Sequence, residues 1–307
     1  MKVSLGYKFM NLLGEIAGLA TSFFFASTAI IFTKAGRLLG SQVTNRIRLS
    51  FALFYLLILN LILFHSPLPF SAGSSRWMWL SLSGVIGLSL GDAFLFRSYV
   101  TVGPRLGSLL LSLAPIFGSI IAWIFFGETL SLLQILGIVL ALAGIGWVVT
   151  SHTEEASMPS GHTREGVIFG VLAGLGQALG LVLSKQAMTG GFSPFQANAI
   201  RMLAAVIFML GWTVVERQVG TTIETIRQQQ KSLWLVALGA MLGPVLGVSA
   251  SLLAVQHAEI GVASTLMALP PVIVLPISYF VFKEKIGWQG FAGTILAILG
   301  VAVLFLA

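Results

Sequence analysis

Two copies of one short motif carry the residues best suited to chemistry: Asn45-x-x-Arg48 and Asn198-x-x-Arg201. A spacing of three puts the amide and the guanidinium on one helical face. Each copy opens an apolar run of helical length, where a charge is expensive and points to function. A guanidinium fork matches a carboxylate or a phosphate, so two of them around a shared axis would hold an anion between them. The competing reading is structural, with both arginines near helix ends, reaching to the interface or bracing neighbouring carbonyls.

Asp92 and Arg97, in the run GDAFLFRSYV, add two charges that the second half does not repeat, since Val248 and Leu253 stand there. Five residues apart, they share no helical face, and each is expected to meet a partner on another helix. Asp92 is the leading candidate for a proton-carrying coupling group, with Glu15, at the start of the first span, as the second candidate and structural pairing as the alternative. Gln177 is an amide in mid-span that must find partners, and substrate is one of them. Ser112 and Thr265, with Ser108 and Ser264, lie just before Pro115 and Pro271 and offer hydroxyls to a cavity, although serine also bonds its own helix. Pro115 and Pro271 are read as mid-helix prolines lining that cavity. Pro244 and Pro276 are expected to kink their spans, with gating as a possible use. His152 and His162 fit no metal-ligand spacing, and a chain with no cysteine has no thiolate site or disulfide. No cofactor is called for.

The elements that must position these residues are membrane helices. Across 307 residues the hydrophobic share is 57%, the charged share 9% and the mean hydropathy +0.97, far from a soluble chain, in which about a quarter of residues are charged. The net charge of +7 is spread thinly between apolar runs, which makes the basic residues topology anchors and cavity residues, not a nucleic-acid face. Runs of roughly 20 apolar residues predict an all-α polytopic protein of ten spans. They fall near Leu13–Thr33, Val43–Phe64, Trp77–Val100, Leu106–Phe126 and Leu132–Thr150, then Val167–Gln186, Phe195–Val215, Leu233–Val255, Val262–Phe282 and Trp288–Ala307. The segment from Glu216 to Lys231 reads as a solvated connector, with a short surface helix as the alternative.

One unit is written twice. The stretch Leu111–Glu128 aligns without a gap to Met267–Glu284, matching at Leu113/Leu269, Pro115/Pro271, Ile121/Ile277, Phe126/Phe282 and Glu128/Glu284. Residues 1–150 and 166–307 thus form two five-helix repeats around a polar linker, 151–165. An odd number of spans per repeat inserts the second copy upside down, the inverted repeat of many secondary transporters. Small-xxx-small pairs such as Gly87/Gly91, Gly243/Gly247 and Gly166/Gly170/Gly174 predict close helix contacts, and the last helix of each repeat, nearly free of polar atoms, is expected at the periphery.

The paired arginines, the S-L-A-P and A-L-P-P turns at Pro115 and Pro271, and the closing GE and KE at Glu128 and Glu284 resemble the EamA-type drug/metabolite transporter superfamily over essentially the whole chain. That resemblance implies a cavity made by the first four helices of each half, peripheral fifth and tenth helices, and alternating access for a small metabolite. It also implies both termini in the cytoplasm, although Lys34, Arg37, Arg217, Arg227 and Lys231 then lie outside, against the positive-inside tendency. The expected partners are a small polar solute, anionic or zwitterionic, the lipid bilayer of a bacterial inner membrane, a coupling proton, and at most a second copy of the chain. Nucleic acid is not among them. Two departures stand out: Phe23 to Phe25 replace the tryptophan often found in the first helix, and Asp92 with Arg97 are not general family features. A lipid flippase or passive pore is the alternative. An intramembrane enzyme is disfavoured because His65, His152, His162 and His257 are scattered, with no acidic cluster beside them.

Overall fold

The computed structural model describes residues 2–126, 131–155, 160–188, 191–257, 266–283 and 287–306, and among these the regular structure is helical, without a strand. The first half runs α1 (Lys2–Leu39), α2 (Ser41–Phe64), α3 (Ser74–Ser83), a π-helical segment (Gly84–Gly91), α4 (Asp92–Leu111), α5 (Ala114–Phe126) and α6 (Leu132–Glu155). The second runs α7 (Ser160–Ala187), α8 (Pro194–Val215), α9 (Val219–Gln228), α10 (Leu233–Ala240), a π-helical segment (Met241–Gly247), α11 (Val248–His257), α12 (Pro270–Phe282) and α13 (Trp288–Leu306). Helix is forced on such a chain because lipid offers backbone groups no hydrogen-bond partner, so each segment must satisfy its own. Six stretches among the described residues are long and apolar enough to cross a bilayer, and three shorter apolar helices accompany them. The chain is therefore a polytopic helical membrane protein.

Several sequence expectations change. Pro115 and Pro271 are not mid-helix: the apolar run breaks at residues 112–113 and again before Pro270, and both prolines sit in the first turn of a new helix. A missing N–H costs nothing there, because the first amides of a helix have no intrahelical acceptor. Pro244 lies inside the second π-helical segment, and Pro276 lies inside α12. The connector after Glu216 contains the helix α9. Much of the polar linker is helical, since α6 continues to Glu155 and α7 begins at Ser160. One corner is sharp: within α4, Gly103 has φ 83° and ψ 167°, immediately before Pro104. A side chain resists that backbone region, and glycine followed by proline turns the chain from one run into the next.

The halves embrace reciprocally. Helix α1 packs along α10, the π segment and α11, with Phe32 at Gly239, Thr28 at Gly243 and Phe25 at Gly247. Helix α7 packs along α3, the other π segment and α4, with Gly180 at Gly87 and Gly176 at Gly91. Helix α2 lies on α8, and α6 on α13, with Gly144 at Ala297 and Gly300 at Ala141. Each of these crossings is antiparallel, since residue numbers rise on one helix as they fall on the other. The glycine crossings matter because lipid tails are as apolar as leucine, so close van der Waals contact, not water exclusion, binds helices together. Between α2 and α8 the buried interior is Leu49, Leu56, Met202 and Met209, with Val245 from the second π segment.

Candidate functional site

Helices α2 and α8 cross the protein in opposite senses, Asn60 Nδ2 donating to the Phe195 carbonyl at 3.3 Å near one end and Arg46 meeting Glu216 at the other. Arg48 and Arg201 each stand seven residues into their own helix, so they enter from opposite sides. Their side chains nevertheless converge on one place, the π-helical turn at Gly87 and Leu88. Arg48 Nη2 donates to the Leu88 carbonyl at 3.0 Å. Arg201 Nη2 lies 3.6 Å from where a Cβ on Gly87 would stand.

A π-helix shifts the hydrogen-bond register and frees carbonyls that an α-helix would occupy. Both Asn-x-x-Arg motifs exploit this. Asn45 Nδ2 donates to the Ser89 carbonyl at 3.2 Å, and Asn198 Nδ2 donates to the Pro244 carbonyl at 2.8 Å. Each amide thus anchors the π segment of its own half.

From this point the two motifs differ. Arg48 Nη2 makes an ion pair with Asp92 Oδ2 at 2.7 Å and donates to Asn45 Oδ1 at 2.9 Å. The Phe96 and Phe32 rings lie 5.1 and 5.9 Å from its guanidinium carbon, within cation–π range. Gln177 Nε2 completes the group by donating to Asp92 Oδ1 at 2.6 Å. Asp92 is 5% exposed and Arg48 3%, so this is a buried ion pair, in which Arg48 Nε is buried without an acceptor.

Arg201 is 2% exposed, yet no hydrogen bond or ion pair joins it to a described residue, and its Nε is buried without an acceptor. Asn198 Oδ1, fully buried one turn away, also lacks a donor. Asp92 is near enough to Arg201 to interact with it electrostatically. The local count is two guanidiniums against one carboxylate, leaving one uncompensated positive charge in a low-dielectric setting where such charges are costly.

The other expected site residues fall elsewhere. Arg97 is half exposed and pairs with Glu165 at 2.9 Å, away from the cluster. Glu15 is half buried on α1. The Ser112 hydroxyl returns to the Ser108 carbonyl of its own helix at 3.3 Å. Thr265 lies outside the described residues. Among the described residues no group of His, Cys, Asp and Glu side chains is placed to hold a metal.

Three features had no counterpart in the sequence reading: the π segments, the glycines Gly176 and Gly180, and the role of Arg46. Arg46 Nη2 pairs with Glu216 at 3.1 Å and its Nη1 donates to Thr222 Oγ1 on α9 at 2.8 Å. Beneath this bridge lies a cavity of about 60 Å³ whose lining includes Asn45, Met209 and Trp212. A wider space of about 310 Å³ beside α3 and α8, lined by Trp77, Val85, Leu203 and Ile207 among others, has no charged wall.

The match to a family model covers residues 12–150 and again 164–306, and that family is the EamA-like transporter family. A protein of Clostridium kluyveri described as an uncharacterized transporter is 26% identical over 143 residues, 46% of this chain and 45% of that relative, so the match spans less than half of either protein. A solved crystal structure superposes with a TM-score of 0.62 over 95% of this chain and 96% of its own, at 15% identity, a likeness of fold alone. Each of the two family matches contains one Asn-x-x-Arg motif, and with both halves of the sequence accounted for in this way, the chain belongs to the EamA-like transporter family.

Proposed function

We propose that this transporter is a ten-span secondary carrier of two inverted repeats, which moves a small polar metabolite bearing an anionic group by alternating access, in a bacterial inner membrane with both termini cytoplasmic. The observation that carries this reading is Arg201, a buried guanidinium with no partner among the described residues, set where both halves meet. The antiparallel crossings of equivalent helices, α2 on α8 and α6 on α13, support the inverted arrangement. A solute carboxylate or phosphate would take the Arg201 fork, with Asn198 Oδ1 accepting from a donor on the same solute.

Asp92 then has a different role from coupling acid. Held by Arg48 and Gln177, it acts as the fixed counter-ion of the first half. The Arg46–Glu216 bridge, tied to α9 through Thr222, closes one end of the α2–α8 seam. Opening that end requires the bridge to part, and alternating access requires the opposite end to close in turn.

The test is transport by purified protein in liposomes, with a panel of labelled carboxylates and phosphates. Arg201→Ala is expected to abolish uptake, a loss on the order of 100-fold or more for removal of a buried charged contact. Unchanged transport of every anionic solute in Arg201→Ala would refute the reading. Labelling of Ser157→Cys in the otherwise cysteine-free chain reports the orientation, and modification from the periplasmic side alone is the expected result.

A further inference from the structure

The charges at the crossing of the two halves fix how many negative charges a bound solute carries. Arg48 and Asp92 neutralise each other at 2.7 Å, Gln177 saturates the second carboxylate oxygen, and Arg201 remains, with Phe32 and Phe96 closing the far side of Arg48. The second half offers no further carboxylate at the equivalent place, where Val248 stands. The net charge of the cluster is therefore that of Arg201 alone.

We infer that this site selects monoanions over dianions, with Asp92 as the residue that sets the valence. The inference rests on the reading that Arg201 holds the solute's anionic group. One negative charge on Arg201 brings the buried cluster to neutrality. A second would be buried uncompensated and would face the Asp92 carboxylate, which Arg48 and Gln177 prevent from withdrawing. For like charges several ångströms apart in a partly buried setting, that repulsion amounts to discrimination on the order of 100-fold.

Isothermal titration of the full-length chain in detergent at pH 8 tests this with two pairs of probes. Propionate and malonate differ by one charge at equal carbon number, and dimethyl phosphate and methyl phosphate differ by one charge and one methyl group. The native chain is expected to bind the monoanion of at least one pair about 100-fold more tightly than its dianion. Asp92→Asn raises the cluster by one charge and is expected to shift the preference at least 10-fold toward the dianion. Asp92→Asn with Arg48→Gln returns the count to one and restores the monoanion preference, which keeps the test available if Asp92→Asn alone does not fold. Arg201→Gln is expected to lose both probes.

If Arg201→Gln loses both probes while the native chain binds them equally, or while the preference is the same in Asp92→Asn, valence selection is wrong and the Arg201 site stands. A double variant without monoanion preference likewise overturns valence selection. If Arg201→Gln binds like the native chain, or the native chain binds none of the four probes, the anion site itself falls and the inference with it.

Discussion

The two halves carry the same Asn-x-x-Arg motif and surround its arginine differently. In the first, Arg48 has an ion pair, an amide, a carbonyl and two aromatic rings around it; in the second, Arg201 is as deeply buried with no contact of that kind to a described residue. One position explains the divergence. The first half carries Asp92 where the second carries Val248, so of the two repeated arginines Arg48 pairs with a carboxylate and Arg201, among the described residues, does not.

The most direct way to break this contrast is to take the brace apart. Asp92→Ala leaves Arg48 buried without its counter-ion, and removal of one partner of a buried pair costs about 3–5 kcal/mol. Asp92→Leu with Arg48→Met replaces both charges by apolar groups and is expected to recover most of that loss, as buried pairs exchanged whole often do. Thermal unfolding of the two variants in detergent is the measurement. Equal stability of the single variant and the native chain would mean that Arg48 is no more braced than Arg201.

The next largest effect concerns how closely the halves approach. Gly84 lies against the backbone of Arg201, and a Cβ there would collide with the Arg201 carbonyl, whereas the corresponding position of the second half already holds the buried Ala240. Gly84→Ala therefore pushes α8 away and is expected to destabilise by about 1–3 kcal/mol, the range for overpacking. Because the displaced residue is Arg201 itself, anion affinity should fall with stability. Gly211→Ala, on the same helix with open space at its Cβ, is the control and is expected to gain up to about 1 kcal/mol from helix propensity.

How much of this was legible in the sequence follows from what each feature depends on. The repeated motif was visible because charge in an apolar run is rare and its recurrence in both halves is rarer. Gln177 was visible as an amide with nowhere else to go. That Asp92 chooses Arg48 was not visible, since it depends on how α4 lies against α2. The π segments leave no periodic trace, because they change which carbonyl each amide reaches, not which residues are apolar. Pro115 and Pro271 misled in the other direction: hydropathy runs smoothly through the break before each, although proline is at home in a first helical turn and that signal was available. Arg97 resembled a second intramembrane charge, yet it leaves the buried face of α4 for Glu165.

A smaller effect is expected where the comparison meets the seam. Glu216 is about one-third exposed and Arg46 is buried, so Glu216→Gln weakens a partly screened pair and should cost about 1 kcal/mol or less in stability. Its kinetic consequence is larger if the bridge closes the seam. Single-cysteine accessibility at Asn45, probed in Asn45→Cys with and without Glu216→Gln, should rise in the presence of the second substitution, since Asn45 lines the small cavity beneath the bridge. Unchanged labelling would make the bridge a structural tie between α2 and the loop before α9, with no part in access.

The smallest effect sharpens the contrast between charges inside and outside the cluster. Arg97 and Glu165 form an ion pair of good geometry, both Arg97 Nε and Nη2 lying within 3.1 Å of one carboxylate oxygen, yet their side chains are 53% and 40% exposed. Exposure screens the attraction, and a double-mutant cycle over Arg97→Ala and Glu165→Ala should return a coupling of about 0–1 kcal/mol. Anion binding should not change in either single variant, because Arg97 and Glu165 bond to each other and not to the side chains of Arg48, Asp92, Gln177 or Arg201. A large coupling, or an altered affinity in Arg97→Ala, would mean that the first half carries a second functional charge, and that the difference between the halves is wider than the one position at Asp92.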